Sequence, residues 1–166
     1  VGLNGLQILD AVVDYAHTIG LPILLDYHRG TPGGGPNESG LWFGEGRTEA
    51  DVVAEWRAMA ERYADSPAVI GADLMNEPFG GTWGDGSPTD WARAAERIGG
   101  AVQAIAPDWL IVVEGVSEYE GDAYWWGGNL QGVADRPVRL DRPDKLVYSA
   151  HDYPASVHPQ PWFFDG

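Results

Sequence analysis

The apolar run Val69-Ile70-Gly71-Ala72-Asp73-Leu74-Met75 passes without a spacer into Asn76, Glu77 and Pro78. A strand that releases a carboxylate at its end holds that group partly buried, which raises its pKa and suits it to general acid catalysis. Asn76 beside it offers a donor to a substrate hydroxyl. The same residues would also serve simply to cap a strand and begin a turn, because structural pairs perturb carboxylates too. Other chemistry-bearing residues follow other apolar runs: His28 after "LPILLDY", Glu114 at the end of "DWLIVVE", and His151 and Tyr153 after "KLVYSA". Taken alone, a strand-end histidine reads as a hydrogen-bonded, half-buried residue. Gathered with Tyr153 and Glu77 at one rim, the two histidines become convergent polar groups lining a pocket. A metal site built from His28, His151 and a carboxylate is the competing functional reading. It lacks an HExxH run or paired-ligand spacing, so no metal is expected. His17 and His158 have no supporting context.

Tryptophans supply a second signal. Trp56 and Trp91 lie in helical stretches and Trp109 opens a strand, as packing residues do. Trp42, Trp83, Trp125, Trp126 and Trp162 fall in loops. An indole face complements the C–H face of a sugar ring, and it equally well pins a long loop to the core. In "YWWGGN" (124–129), the adjacent Trp125 and Trp126 with Asn129 nearby favour substrate contact.

The remaining totals narrow the ligand. The formal net charge of −15 over 166 residues repels phosphate, arguing against nucleic acid and anionic membrane and for a neutral polymer or small molecule. No cysteine is present, which removes disulfides, thiolate catalysis and cysteine metal sites. No apolar stretch reaches bilayer-spanning length. "GTPGGGPNESG" lacks the Gly-Lys-Ser/Thr ending of a P-loop, no Gly-x-Ser-x-Gly elbow occurs, and the Asn37-Glu38-Ser39 sequon is a pattern common by chance.

The elements that must position these groups alternate. Leu6, Leu9, Val12, Val13 and Ala16 recur at helical spacing with Gly20 as a stop. A short strand (21–28), a glycine-rich loop (30–46), a helix (48–63), a strand (67–77), a helix N-capped by Asp90 and a strand (108–115) follow. Segment 116–144 reads as a long functional loop and an irregular crossover before a strand at 145–153. Continuous apolar strands between helices predict a parallel sheet covered by helices, and ligands of such sheets gather at the carboxyl ends of strands. A flavodoxin-like sheet fits the length. The chain, however, opens without Met just before a helix and stops after "WFFDG". We therefore expect an α/β fold forming part of a (β/α)₈ barrel, about four β/α units of one catalytic domain truncated at both ends. The start lacks signal-peptide features, which in a cut chain says nothing about secretion.

"ILLDYHR", "VIGADLMNEP", "LIVVEGV", "YWWGGNLQG" and "LVYSAHDYP", in this order, resemble the bacterial secreted endo-β-1,4-glucanases (cellulases) of glycoside hydrolase family 5. The resemblance covers essentially the whole chain and implies strands three to six of a (β/α)₈ barrel. It further implies Glu77 as the general acid/base, Asn76 as the neighbour binding the sugar 2-hydroxyl, and His28, His151 and Tyr153 lining the cleft. Trp125 or Trp126 would be a sugar platform. The implied parent is a secreted, monomeric enzyme without cofactor, acting on a β-glucan polysaccharide or oligosaccharide. A mannanase or other β-glycosidase of the same barrel type, or a non-hydrolytic carbohydrate-binding fragment, are the alternatives. The family's nucleophile is a second Glu on strand seven, and its Arg on strand two and Trp on strand eight also have no counterpart here. The isolated chain is therefore expected to be inactive. Glu114, the other strand-end Glu, is expected to make a structural hydrogen bond.

Overall fold

A computed structural model describes residues 2–44 and 46–164. Helix α1 (Gly5–Ile19) starts at a reciprocal cap, with Asn4 accepting from the Gln7 amide and the Gln7 side chain returning to the Asn4 amide. It stops at Gly20, whose φ of 69° suits a residue without Cβ. Strand β1 (Ile23–Asp26) follows, then α2 (Glu49–Tyr63), opened by the same kind of box between Thr48 and Asp51. Next come β2 (Val69–Asp73), α3 (Trp91–Gln103) with the Asp90 cap expected from sequence, and β3 (Leu110–Glu114). A small hairpin of β4 (Glu118–Tyr119) and β5 (Asp122–Ala123) precedes β6 (Leu146–Ser149).

The main sheet runs β1-β2-β3-β6, with every pair parallel. Helices supply its covered face: Val13 and Ala16 from α1, Val52, Trp56 and Ala60 from α2, and Ala94, Ile98 and Val102 from α3 pack with Leu25, Ala72, Ile111 and Val113. The central β3 is almost wholly buried, whereas Leu24 of β1 and Val147 of β6 are each more than a third exposed. Ile8, Val12, Tyr15 and Ile19, spaced as one stripe of α1, are exposed too.

The crossover from β3 to β6 departs from the others. Instead of an α-helix it carries two single-turn 3₁₀ segments, Gln131–Ala134 and Pro143–Lys145. Glycine and proline punctuate this stretch and deny it helical periodicity. Three α-helices therefore serve four main strands among the described residues.

Indole N–H groups tie helices and loops to the places where strand ladders stop. Trp56 of α2 donates to the Leu74 carbonyl at 3.1 Å, and Trp91 of α3 donates to the Glu114 carbonyl at 2.9 Å. Trp42 packs against Trp91 and donates to Glu49 Oε2, and Trp83 donates to the Arg136 carbonyl. Both of these loop tryptophans are buried, so they pin loops and do not face solvent.

The loop after β1 touches the loop after β2 backbone to backbone. The Gly80 amide donates to the Gly40 carbonyl at 3.0 Å, and Gly40 holds φ 64°. A Cβ on Gly80 would lie 2.1 Å from the Ser39 carbonyl oxygen, too close for any side chain. Gly80→Ala is therefore expected to cost about 1–3 kcal/mol, the scale of overpacking a tight contact. It would be read as a lower urea midpoint at unchanged slope.

Candidate active site

The β2 ladder ends at Asp73, but the chain stays tethered on both sides. The Leu74 amide donates to the Val112 carbonyl and the Asn76 amide to the Tyr27 carbonyl, each at 3.1 Å. Glu77 then turns the backbone at φ 47°, an uncommon conformation for a residue with a Cβ. Such strain persists only where surroundings hold it, and it concentrates at functional sites. The hold comes from the next strand: the Glu77 amide donates to Glu114 Oε2 at 2.8 Å. Pro78 follows, and the Phe79 amide closes back on the Glu77 carbonyl at 2.7 Å.

The turn sets the Glu77 side chain against two residues that follow β6. His151 Nδ1 lies 2.9 Å from Glu77 Oε1, and the Tyr153 hydroxyl donates to the same oxygen at 2.8 Å. His151 Nε2 lies 3.1 Å from Glu114 Oε1. Glu77 Oε2 makes no hydrogen bond among the described residues and belongs to a carboxyl that lines a cleft of about 740 Å³. Tyr124, Trp125, Trp126, Tyr153 and Trp162 line this cleft as well. Burial and the bond to Glu77 push the Tyr153 phenol up to about 12, so it remains a donor at neutral pH.

Segment 124–129 frames the cleft from above. The Gly127 carbonyl accepts from both the Gly115 and His151 amides, and Val116 and Asn129 exchange backbone bonds. Gly127 holds φ 73°, and a Cβ there would fall 2.4 Å from Glu114 Oε2 and 3.4 Å from Glu77 Cγ. Trp126 is 49% exposed and stacks on Phe79 at 4.1 Å between ring centroids. Trp125 is buried edge-on against Tyr153 and Trp162, while Trp162 stacks with Tyr124 at 5.0 Å.

Glu77, Tyr153, Trp125 and Trp126 thus line one cleft, and His151 is bonded to the Glu77 carboxyl. Asn76 sits directly before Glu77, and its side-chain amide makes no hydrogen bond among the described residues. His28 is bonded elsewhere: its Nδ1 pairs with Asp26 Oδ2 at 2.9 Å, and its side chain is half exposed. Among the described residues no group of three or more His, Asp or Glu is arranged to hold a metal ion. Sequence reading missed Phe79, Tyr124 and Gly127. Their signals were adjacency to "NEP" and to the Trp125-Trp126 pair. Among the carboxyls at the strand ends the most deeply buried is Glu114, 1% exposed. Burial, then the nearby Asp73 charge, raises Glu114 to about 9; burial, then Asp26, raises Asp73 to about 7. The β1–β2 register sets Asp26 beside Asp73.

The sequence profile of the cellulase family, glycosyl hydrolase family 5, matches residues 1–165. This chain belongs to that family. It is 48% identical over 170 residues to an endoglucanase of Paenibacillus polymyxa, covering 99% of this chain and 42% of the relative. It is 42% identical over 170 residues to the major extracellular endoglucanase of Xanthomonas campestris pv. campestris, covering 99% of this chain and 34% of the relative. The solved catalytic domain of the Xanthomonas campestris endoglucanase superposes with a TM-score of 0.87 at 44% identity, over 99% of this chain and 48% of that one. A cellotetraose complex of an endocellulase from Pyrococcus horikoshii gives a TM-score of 0.87 at 42% identity, over 98% and 48% of the two chains. The chain spans less than half the length of these relatives. Its four parallel strands and their helices are part of a (β/α)₈ barrel.

The buried carboxyls of this family 5 chain make stability pH-dependent. Over the range between the ordinary carboxylate value and the raised one, the folded chain holds protons the unfolded chain releases, so ionisation opposes folding. Their contribution is complete below the ordinary carboxylate range and is lost as pH rises through about 7 for Asp73 and about 9 for Glu114. Urea midpoints are expected to fall between about pH 5 and about pH 9, and Glu114→Gln to flatten the upper part of that fall. A flat wild-type profile would contradict this account.

Proposed function

We propose that the enzyme containing this segment hydrolyses internal β-1,4-glucosidic bonds of cellulose or related β-glucans with retention, and that Glu77 is its acid/base. The observation that carries this reading is the asymmetry of the Glu77 carboxyl. Oε1 is engaged by His151 and Tyr153, and Oε2 is left without a partner among the described residues. In the first step a nucleophilic carboxylate attacks the anomeric carbon while Oε2–H protonates the departing glycosidic oxygen. The charge left on Glu77 is met by the donors on Oε1. In the second step Glu77 takes a proton from water as that water attacks the same carbon and releases the nucleophile.

The nucleophile would come from outside these 166 residues. Retention needs two carboxyls about 5–5.5 Å apart, one of them free to attack carbon. Glu114 does not suit that role, because it is buried with both oxygens already bonded. Asn76 would donate to the sugar 2-hydroxyl, and His28 would line the cleft around the sugar undergoing cleavage, with His151 and Tyr153. Trp126, exposed and backed by Phe79, would be the principal sugar platform, with Trp125 shaping the wall. The name of the Xanthomonas relative, an extracellular endoglucanase, supports secretion of the parent.

In that parent, Glu77→Gln is expected to lower kcat on a glucan by about 10²–10⁴ while substrate binding persists. Full turnover in the variant would remove Glu77 from the role. The isolated chain is expected to release no reducing sugar from cellulose. Trp126→Ala in the parent is expected to weaken cellotetraose binding by on the order of 1 kcal/mol, measured calorimetrically in a Glu77→Gln background. Unchanged affinity would reassign the platform.

A further inference from the structure

Three contacts around Glu77 form a closed ring. The Glu77 amide donates to Glu114 Oε2 at 2.8 Å, Glu114 Oε1 meets His151 Nε2 at 3.1 Å, and His151 Nδ1 returns to Glu77 Oε1 at 2.9 Å. We propose that Glu114 is a positioning residue for Glu77, fixing its strained backbone through one oxygen and the tautomer of His151 through the other. The proposal deepens the acid/base reading of Glu77 and rests on it for functional meaning, whereas the contacts themselves do not.

Hydrogen-bond chemistry sets the direction of the ring. A neutral imidazole has one N–H donor and one acceptor nitrogen. A carboxylic acid likewise has one accepting and one donating oxygen. Glu114 must accept at Oε2, because its partner there is a backbone N–H. As an acid it therefore donates from Oε1 to His151 Nε2. His151 is then left with its hydrogen on Nδ1, aimed at Glu77 Oε1 beside the Tyr153 hydroxyl. That arrangement keeps Oε1 as an acceptor and leaves Oε2, the oxygen without an internal partner, to exchange the catalytic proton.

The surroundings favour the acid form. Glu114 is faced by Asp73 from β2, Asp26 from β1 and Glu77, all acidic, and by His151; burial and Asp73 raise it to about 9. A Cβ at Gly127 would fall 2.4 Å from Oε2, so glycine there leaves that oxygen room. Two competitors exist: Asp73 Oδ1 is buried without a hydrogen-bond partner among the described residues and would accept the same proton, and the Tyr153 hydroxyl, 3.2 Å from His151 Nδ1, is placed to donate there if that nitrogen carries no hydrogen.

The test uses this chain, labelled with ¹⁵N-histidine, and reads the His151 tautomer by two-bond ¹H–¹⁵N correlation at neutral pH. The signal is assigned with His151→Gln. The wild type is expected to show hydrogen on Nδ1 alone. Glu114→Gln is expected to keep that tautomer, since its amide donates to Nε2 and its carbonyl accepts from Glu77. Glu114→Met offers neither group, so the tautomers should mix and Glu77 amide exchange rise by about tenfold, the scale of one lost hydrogen bond. Hydrogen on Nε2, with the Glu114 proton given to Asp73, would overturn the proposal. So would a doubly protonated His151, or an unchanged tautomer in Glu114→Met. If Glu114→Met does not fold, the wild type and Glu114→Gln still decide between these states. None of these readouts needs hydrolysis, so an inactive chain and a wrong positioning role give different results.

Discussion

The side chain of Glu77 enters the cleft because its backbone turns through positive φ, and that turn is held from two directions. From the neighbouring strand, a buried carboxyl takes the Glu77 amide. From the preceding loop, Gly40 and Gly80 meet with no side chain between them and tether the segment just beyond Pro78. A turn of this kind costs on the order of 1–3 kcal/mol and lasts only where the surroundings over-determine it. The residues that satisfy this constraint come from the end of β3 and from the loops after β1 and β2. The site is thus assembled by the tertiary fold, not by its local sequence.

The indole groups extend the same logic outward. A strand that stops donating to its neighbour leaves a carbonyl needing a partner, and a buried carbonyl without one costs free energy. Trp56 and Trp91 supply those partners from helices at the ends of β2 and β3, beside the chemistry. Their rings also fill the space between α2, α3 and the sheet. The same side chains therefore pack the core and stop the strand ends from drifting. Phe79 and Trp126 then build a flat surface on top of this fixed rim.

The strands and their rim were legible in the sequence because continuous apolar runs ended abruptly in polar residues. Their lengths were less so. The run 67–77 reads as one strand, yet its ladder spans only Val69–Asp73, since Leu74 and Asn76 keep their bonds while the backbone leaves regular geometry. Nothing in composition marks Glu77 as a residue at positive φ, for glycine or asparagine is the usual occupant. Trp42 and Trp83 read equally as sugar platforms or as loop pins, because spacing does not tell a pinned loop from a free one, and they are buried. Glu114 was expected to make one structural hydrogen bond. Its central place became visible only when its two oxygens were seen to face different elements.

Charge accounts for that central place. Asp26, Asp73, Glu77 and Glu114 all end or follow strands at one rim, in a chain with 25 acidic and 10 basic residues. Burying several carboxylates together without cations is unfavourable, and the usual resolution is to keep some of them protonated. The deepest of these four, Glu114, is the one best suited to remain an acid, which accepts from a backbone N–H and donates to an unprotonated imidazole nitrogen, whereas a carboxylate only accepts. Glu77 lines the cleft and has one oxygen without a partner among the described residues. Two glutamates joined through one histidine can therefore take different roles, separated by burial and by which of their oxygens are already bonded.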